Sequence, residues 1–201
     1  MKRHWGVAAA MLACTLLASC ATPPPERYHS LLASQPDVPT PQPPVAVEVL
    51  PFSVPPQVDQ PQWLVRGADD SLLLLEQERW AAPLRDELRG AVTERLASRW
   101  GAVDVHALAA APTGAWRVRV DVQRFESLPS REARLDSVWS IASPQRAAST
   151  LLCRSAIRES VTEPGTPALA AAHRHAAVRL ADEIGRQLQA LQRGEAGACG
   201  G

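Results

Sequence analysis

The chain has 201 residues, with 21 Lys and Arg balanced by 21 Asp and Glu. Without a basic surplus to neutralise phosphates, nucleic-acid binding is excluded as a main function. Lys2 is the only lysine, so P-loop and Schiff-base chemistry have no side chain to work with beyond the N-terminus.

The N-terminus opens with the short positive run Met1-Lys2-Arg3-His4, followed by an apolar stretch from Trp5 to Ala18. That stretch falls short of the roughly 20 apolar residues a membrane span needs, and has the length of a secretory h-region. It closes on Leu17-Ala18-Ser19-Cys20, the order of a bacterial lipobox: an aliphatic residue, two small residues and a cysteine. Small residues fit the peptidase subsites, and only a thiol can form the diacylglycerol thioether. The expected organisation is a signal peptide over 1–19, a lipidated tether over 20–26, one α+β periplasmic domain over 27–193 and a flexible tail over 194–201. Cys20 is the lipid-attachment residue. Several acyl chains, at about 0.8 kcal/mol for each buried CH₂, hold a protein on a membrane essentially permanently. Ala21 follows the cysteine where an Asp would favour retention at the inner membrane, so the outer membrane, facing the periplasm, is expected. Removing residues 1–19 takes away Lys2 and Arg3 and leaves 19 basic against 21 acidic residues, a net charge of −2.

Pro23-Pro24-Pro25 makes a stiff, extended spacer. Arg27 to Leu32 reads as a short first strand, Pro36 to Pro44 as a surface loop, and Val45 to Leu50 as a strand ended by Pro51. The proline-containing Val54–Gln62 segment reads as irregular. Trp63 to Arg66 and Ser71 to Glu76 form a hairpin around the Gly67-Ala68-Asp69-Asp70 turn. Its paired acids read as a solvated turn, having no His or third acid nearby. A helix starts at Pro83, with Leu84, Leu88, Ala91, Val92, Leu96 and Trp100 on one stripe, and ends at Gly101. Val103 to Leu108 reads as a strand. From Trp116 to Val122 apolar and polar residues alternate, the pattern of a sheet with one buried face. Strands over Glu132–Ala142 and Ser149–Val161 follow, completing an antiparallel meander. Thr166-Pro167 reads as a cap and first turn of a helix carrying Leu169, Ala176, Leu180, Ile184, Leu188 and Leu191 on one face. The predicted fold class is α+β, a single domain with two amphipathic helices packed on a largely antiparallel sheet.

Catalytic patterns are missing: there is no G-x-S-x-G, H-E-x-x-H, G-x-G-x-x-G or Walker sequence. His173 and His175 lie two apart on a helix, on different faces, and read as surface or partly buried residues rather than metal ligands. No metal, cofactor or enzymatic activity is expected beyond the covalent lipid on Cys20. Cys153 and Cys199 are either disulfide partners, permitted in an oxidising periplasm, or one buried and one free tail thiol. Trp80, Trp100, Trp116 and Trp139 sit at element ends or on apolar faces and read as core. Trp63 follows a proline-rich loop and is the candidate exposed aromatic contact.

Several segments in order resemble one family. They are Arg27-Tyr28-x-x-Leu31, Pro61-Gln62-x-Leu64-Val65-Arg66, Arg79-Trp80-Ala81-x-Pro83-Leu84, Val118-x-Val120-x-Val122-x-Arg124-Phe125 and Leu135-x-x-x-Trp139. With the lipobox ahead of them, the chain is similar to the auxiliary lipoproteins of ABC-type lipid-transport systems, of the paraquat-inducible protein C (PqiC) type. One departure is Leu128-Pro129-Ser130, where relatives often carry a glycine-rich turn. The resemblance implies a non-catalytic accessory component at the outer membrane. It docks an MCE-domain protein served by a permease and ATPase, and a homo-oligomeric ring is a further implication. Trp63, Leu64 and Arg66, within Pro51–Arg66, are the candidate partner-binding residues. The competing classes are an envelope-structural lipoprotein that binds peptidoglycan or an outer-membrane assembly complex, and a periplasmic hydrolase with a scattered Ser, His and Asp site.

Overall fold

A computed structural model of the protein describes residues 24–33, 43–108, 112–144 and 150–199. The segment expected to be a signal peptide, Cys20 and most of the Pro36–Pro44 stretch lie outside the described residues. In chain order the elements are β1 (Arg27–His29), β2 (Val45–Val49), a 3-10 turn (Pro56–Val58), β3 (Gln62–Arg66), β4 (Leu72–Trp80) and α1 (Leu84–Trp100). β5 (Ala102–Asp104), β6 (Trp116–Leu128), β7 (Glu132–Ala142), β8 (Thr150–Ser160) and α2 (Thr166–Gln192) follow. The α+β class is as expected from the sequence, but the strands form two mixed sheets rather than one. One sheet has the order β1-β4-β3 and the other β5-β2-β6-β7-β8.

The long ladders, β6 with β7 and β7 with β8, are antiparallel, as short connections require. The three short ladders, β1 with β4, β2 with β5 and β2 with β6, are parallel. Each parallel pair is joined by a long crossover, so it is set by where distant segments meet rather than by local turns. β5 starts at Ala102, immediately after the helix, and stops at Asp104, which leaves Leu108 exposed.

β6 carries a register shift between Val122 and Arg124. An extra residue in a ladder reverses the in–out order beyond it. Val118, Val120 and Val122 therefore point inward before the shift, and Phe125 and Ser127 after it. At the β6–β7 turn Ser130 takes a φ of 53°, the left-handed conformation that glycine adopts at least cost, and Arg131 N donates to Leu128 O at 3.1 Å.

α1 ends in a left-handed Gly101 whose N–H reaches Leu96 O. α2 begins after Gly165 rather than at a Thr166 cap, because the Thr166 hydroxyl is engaged by Glu78 instead. α2 packs over β7 and β8 and against α1. The helices meet where Gly185 faces Trp100: a Cβ there would sit 2.4 Å from the indole. Trp100 Nε1 donates to Asp182 Oδ1 at 3.0 Å, and Arg95 Nε donates to the same oxygen at 2.8 Å. Burial raises the Asp182 pKa, but hydrogen bonds from Arg95 and Trp100 outweigh it and hold the carboxyl below the usual carboxylate range.

Cys153 and Cys199 form a disulfide. Gln187 Nε2 donates to Ala198 O at 2.7 Å, and Ala198 N donates back to Gln187 Oε1 at 3.0 Å. The segment through Cys199 is therefore fastened to α2 and β8, the disulfide-bonded one of the two alternatives the sequence leaves open for these cysteines.

Candidate functional site

The β3–β4 hairpin carries the sequence-nominated residues, and strand alternation divides them. Trp63 and Val65 face inward, while Leu64 and Arg66 are half-buried on the other face. Trp63 is only 1 % exposed, so the expectation of an exposed aromatic contact is corrected. Its ring stacks on Trp80 with centroids 4.1 Å apart and meets His29 edge-on at 5.0 Å, and its Nε1 donates to Ser127 Oγ at 2.8 Å. The residue follows a loop, but it shares its face with Val65, and that parity governs where it points. Of the other tryptophans, Trp80 and Trp139 are core, and Trp100 and Trp116 are partly covered.

Leu64 and Arg66 line an open groove of about 190 Å³ together with Gln57, Leu72, Gln123 and Arg124. Its lining mixes two leucines with charged and amide side chains. At its rim Glu126 is bracketed by three arginines, from Arg66 at 2.7 Å, Arg134 at 3.5 Å and Arg124 at 3.8 Å. Half-exposed pairs of this kind contribute little stability, roughly 0–1 kcal/mol each, so the network orients side chains more than it holds the fold. Such a surface suits a protein contact with a small apolar centre and a charged rim.

His173, expected to be at the surface or partly buried, is fully buried on α2. Its ring stacks on Phe125 with centroids 3.9 Å apart, and its Nε2 lies 2.8 Å from Ser127 Oγ. Burial pushes its pKa down to about 3, so the ring is neutral at neutral pH. The helical step from Leu169 through His173 to Ala176 would have revealed it as part of the buried stripe. Ser127 and His173 are 2 % and 0 % exposed, so no substrate reaches this serine–histidine pair. Among the described residues, no three His, Cys, Asp or Glu side chains converge to hold a metal.

Two buried glutamates that the sequence reading passed over fasten the N-terminal strand. Glu78 on β4 takes Arg27 and His29, the latter at 2.6 Å. Burial raises its pKa, but the hydrogen bonds from His29, Arg27 and Thr166 prevail, leaving it below the ordinary carboxylate value. Glu87 on α1 accepts from Ser30 Oγ and from the Leu31 N–H, each at 2.7 Å, while Arg174 on α2 donates to Ser30 O at 3.0 Å. Leu31, 1 % exposed, plugs the core beside them. β1 is only three residues long, so this clamp rather than its ladder secures the start of the domain.

These features define a class: an α+β domain fastened at the root of its N-terminal segment, with a surface groove and with its serine–histidine pair sealed in the core. The family model for the ABC-type transport auxiliary lipoprotein component matches residues 29–185, and the chain belongs to that family. It is thus a lipoprotein of the cell envelope that assists an ABC-type transport system. Two solved structures share the fold. A crystal structure of an uncharacterized protein aligns at TM-score 0.68 and 14% identity, over 82% of this chain and 99% of that one. Protein XCC0632 from Xanthomonas campestris, of family DUF330, aligns at TM-score 0.55 and 23% identity, over 83% and 96%. No curated protein matches the sequence.

Proposed function

We propose that the protein is acylated on Cys20, held at the outer membrane facing the periplasm, and serves as a non-catalytic accessory of an MCE-type lipid-transport system. In this reading it docks the MCE-domain partner of a permease and ATPase, and copies of it form a ring that continues the conduit. The observation that carries the reading is the family match over residues 29–185 behind the Leu17-Ala18-Ser19-Cys20 lipobox. The groove beside Leu64 and Arg66 supports a docking role, being open to solvent and lined by leucines together with charged side chains. Trp63 acts there only by holding the hairpin in place.

Affinity capture of the full-length lipidated protein from gently solubilised envelopes, with mass spectrometry of the co-purified proteins, tests the role. An MCE protein recovered with its permease or ATPase is the expected result. Recovery of peptidoglycan or outer-membrane assembly factors instead overturns it. The docking surface is tested by Leu64→Asp combined with Arg66→Asp. Partner capture should fall at least about tenfold, as for a contact near the centre of an interface. Normal folding of that variant with undiminished capture would remove the groove from the interface.

A further inference from the structure

At one end of the molecule three consecutive leucines stand in solvent. Leu72, Leu73 and Leu74 are 51 %, 52 % and 40 % exposed. Successive strand residues point to opposite faces: Leu73 lies opposite inward-facing Val65, while Leu72 and Leu74 share the groove face with Leu64, yet all three keep about half of their surface in solvent. The pairing of β1 shows where this end lies relative to the N-terminal tether. β1 runs parallel to β4, with Arg27 opposite Glu78 and His29 opposite Trp80. Followed backward from Arg27, the chain therefore heads towards the leucine end of β4, while its other end runs into the Glu87 clamp.

The remaining length is short. Cys20 precedes Pro24, the first described residue, by four positions, which span at most about 14 Å even when fully extended. The five residues of β4 from Glu78 back to Leu73 cover roughly 17 Å along the same direction. Counted from Arg27, the seven positions back to Cys20 reach up to about 24 Å, enough to bring the anchor level with the leucines. This step rests on acylation of Cys20, part of the function proposed above.

We propose that the Leu72–Leu74 end of the β3–β4 hairpin rests on the phospholipid bilayer, its leucines in the interface between headgroups and acyl chains. The acyl chains supply residence on the membrane; the leucines supply a second point of contact, and two points fix the tilt of the domain. The adjacent groove is then held beside the bilayer. Asp69 and Asp70 sit in the turn next to the leucines, and Asp69 accepts from Ser71 N and Oγ at 3.1 and 2.6 Å. Two carboxylates in the turn against the single Arg66 guanidinium that reaches Asp70 O leave the contact net negative and favour zwitterionic phosphatidylethanolamine over anionic lipid.

The test uses the full-length lipidated protein in phosphatidylethanolamine vesicles, with an environment-sensitive fluorophore on Leu73→Cys. His175→Cys is the control, an exposed site beside Arg174, whose side chain contacts the far end of the clamped segment. Phosphatidylethanolamine with brominated acyl chains should quench the Leu73 label by about half, as expected for a group buried roughly 5–10 Å into the interface, and leave the His175 label nearly unchanged. Adding phosphatidylglycerol should weaken the quenching. Equal quenching at both sites, or none at Leu73 while the protein floats with the vesicles, overturns the contact but leaves the anchor intact. A Leu73 label that is shielded from water, unquenched by bromine and cross-linked between copies assigns the leucines to a second chain, and also overturns it. Wild-type protein that fails to float removes the anchor itself.

Discussion

Single residues carry more of this fold than their types suggest. Gly185 lies where α2 meets Trp100, and the indole occupies the space a methyl group would need. Gly185→Ala must push the ring off Asp182, and overpacking of this kind costs about 1–3 kcal/mol, outweighing alanine's better helix propensity. A fall in the urea midpoint with an unchanged slope would register it. His173 makes a second case, with a sign set by linkage. Its folded pKa of about 3 lies below the ordinary value of 6.5, so between those limits the unfolded chain binds the proton and the native state does not. The stability it supports is fully present above about pH 6.5 and declines by about 1.4 kcal/mol per pH unit as the pH falls towards 3. His173→Gln should flatten the dependence of the urea midpoint between pH 7 and 5. An unaltered slope would mean that the loss arises from other groups.

At the scale of elements, short pieces are secured by side chains rather than by their ladders. β1 has three residues and is held by Glu78 and Glu87; β8 sits at a sheet edge and is held by the C-terminal segment. The Cys153–Cys199 disulfide closes a sequence separation of 46 residues, for which loop entropy gives up to about 4 kcal/mol. Replacing both cysteines by serine should therefore lower stability by about 2–4 kcal/mol, and limited proteolysis should then cut within residues 194–199 before the rest of the domain. Simultaneous proteolysis throughout the domain would show that the bond supports the whole fold and not only its end. The β6 irregularity at Gln123 was written in the sequence as a change of parity, with apolar residues at even positions through Val122 and then at Phe125. Ser130 was equally visible as a non-glycine in a tight turn, but its positive φ is fixed by the closure of β6 on β7.

For the whole molecule, the proposed location rests on one residue. If Cys20 carries the proposed thioether, Cys20→Ser should move the protein from membrane to soluble fractions while leaving its melting temperature unchanged, since Cys20 precedes the clamped segment. A serine variant that still sediments with membranes would assign attachment to the domain itself.

The fold class, both helices and the β6–β7–β8 meander were legible because each is a local pattern: periodicity, turn residues, spacing. Hydrophobic alternation reports that a strand has a buried face, and helical spacing reports a stripe, without reference to distant parts of the chain. The split into two sheets, the parallel placement of β1 and β2, the burial of Trp63 and His173, and the clamp by Glu78 and Glu87 were decided only by tertiary structure. Each depends on a partner on another element: Trp80 beneath Trp63, Phe125 beneath His173, Ser30 and Leu31 on Glu87. Burial and pairing are properties of two surfaces meeting, and a sequence window contains only one of them.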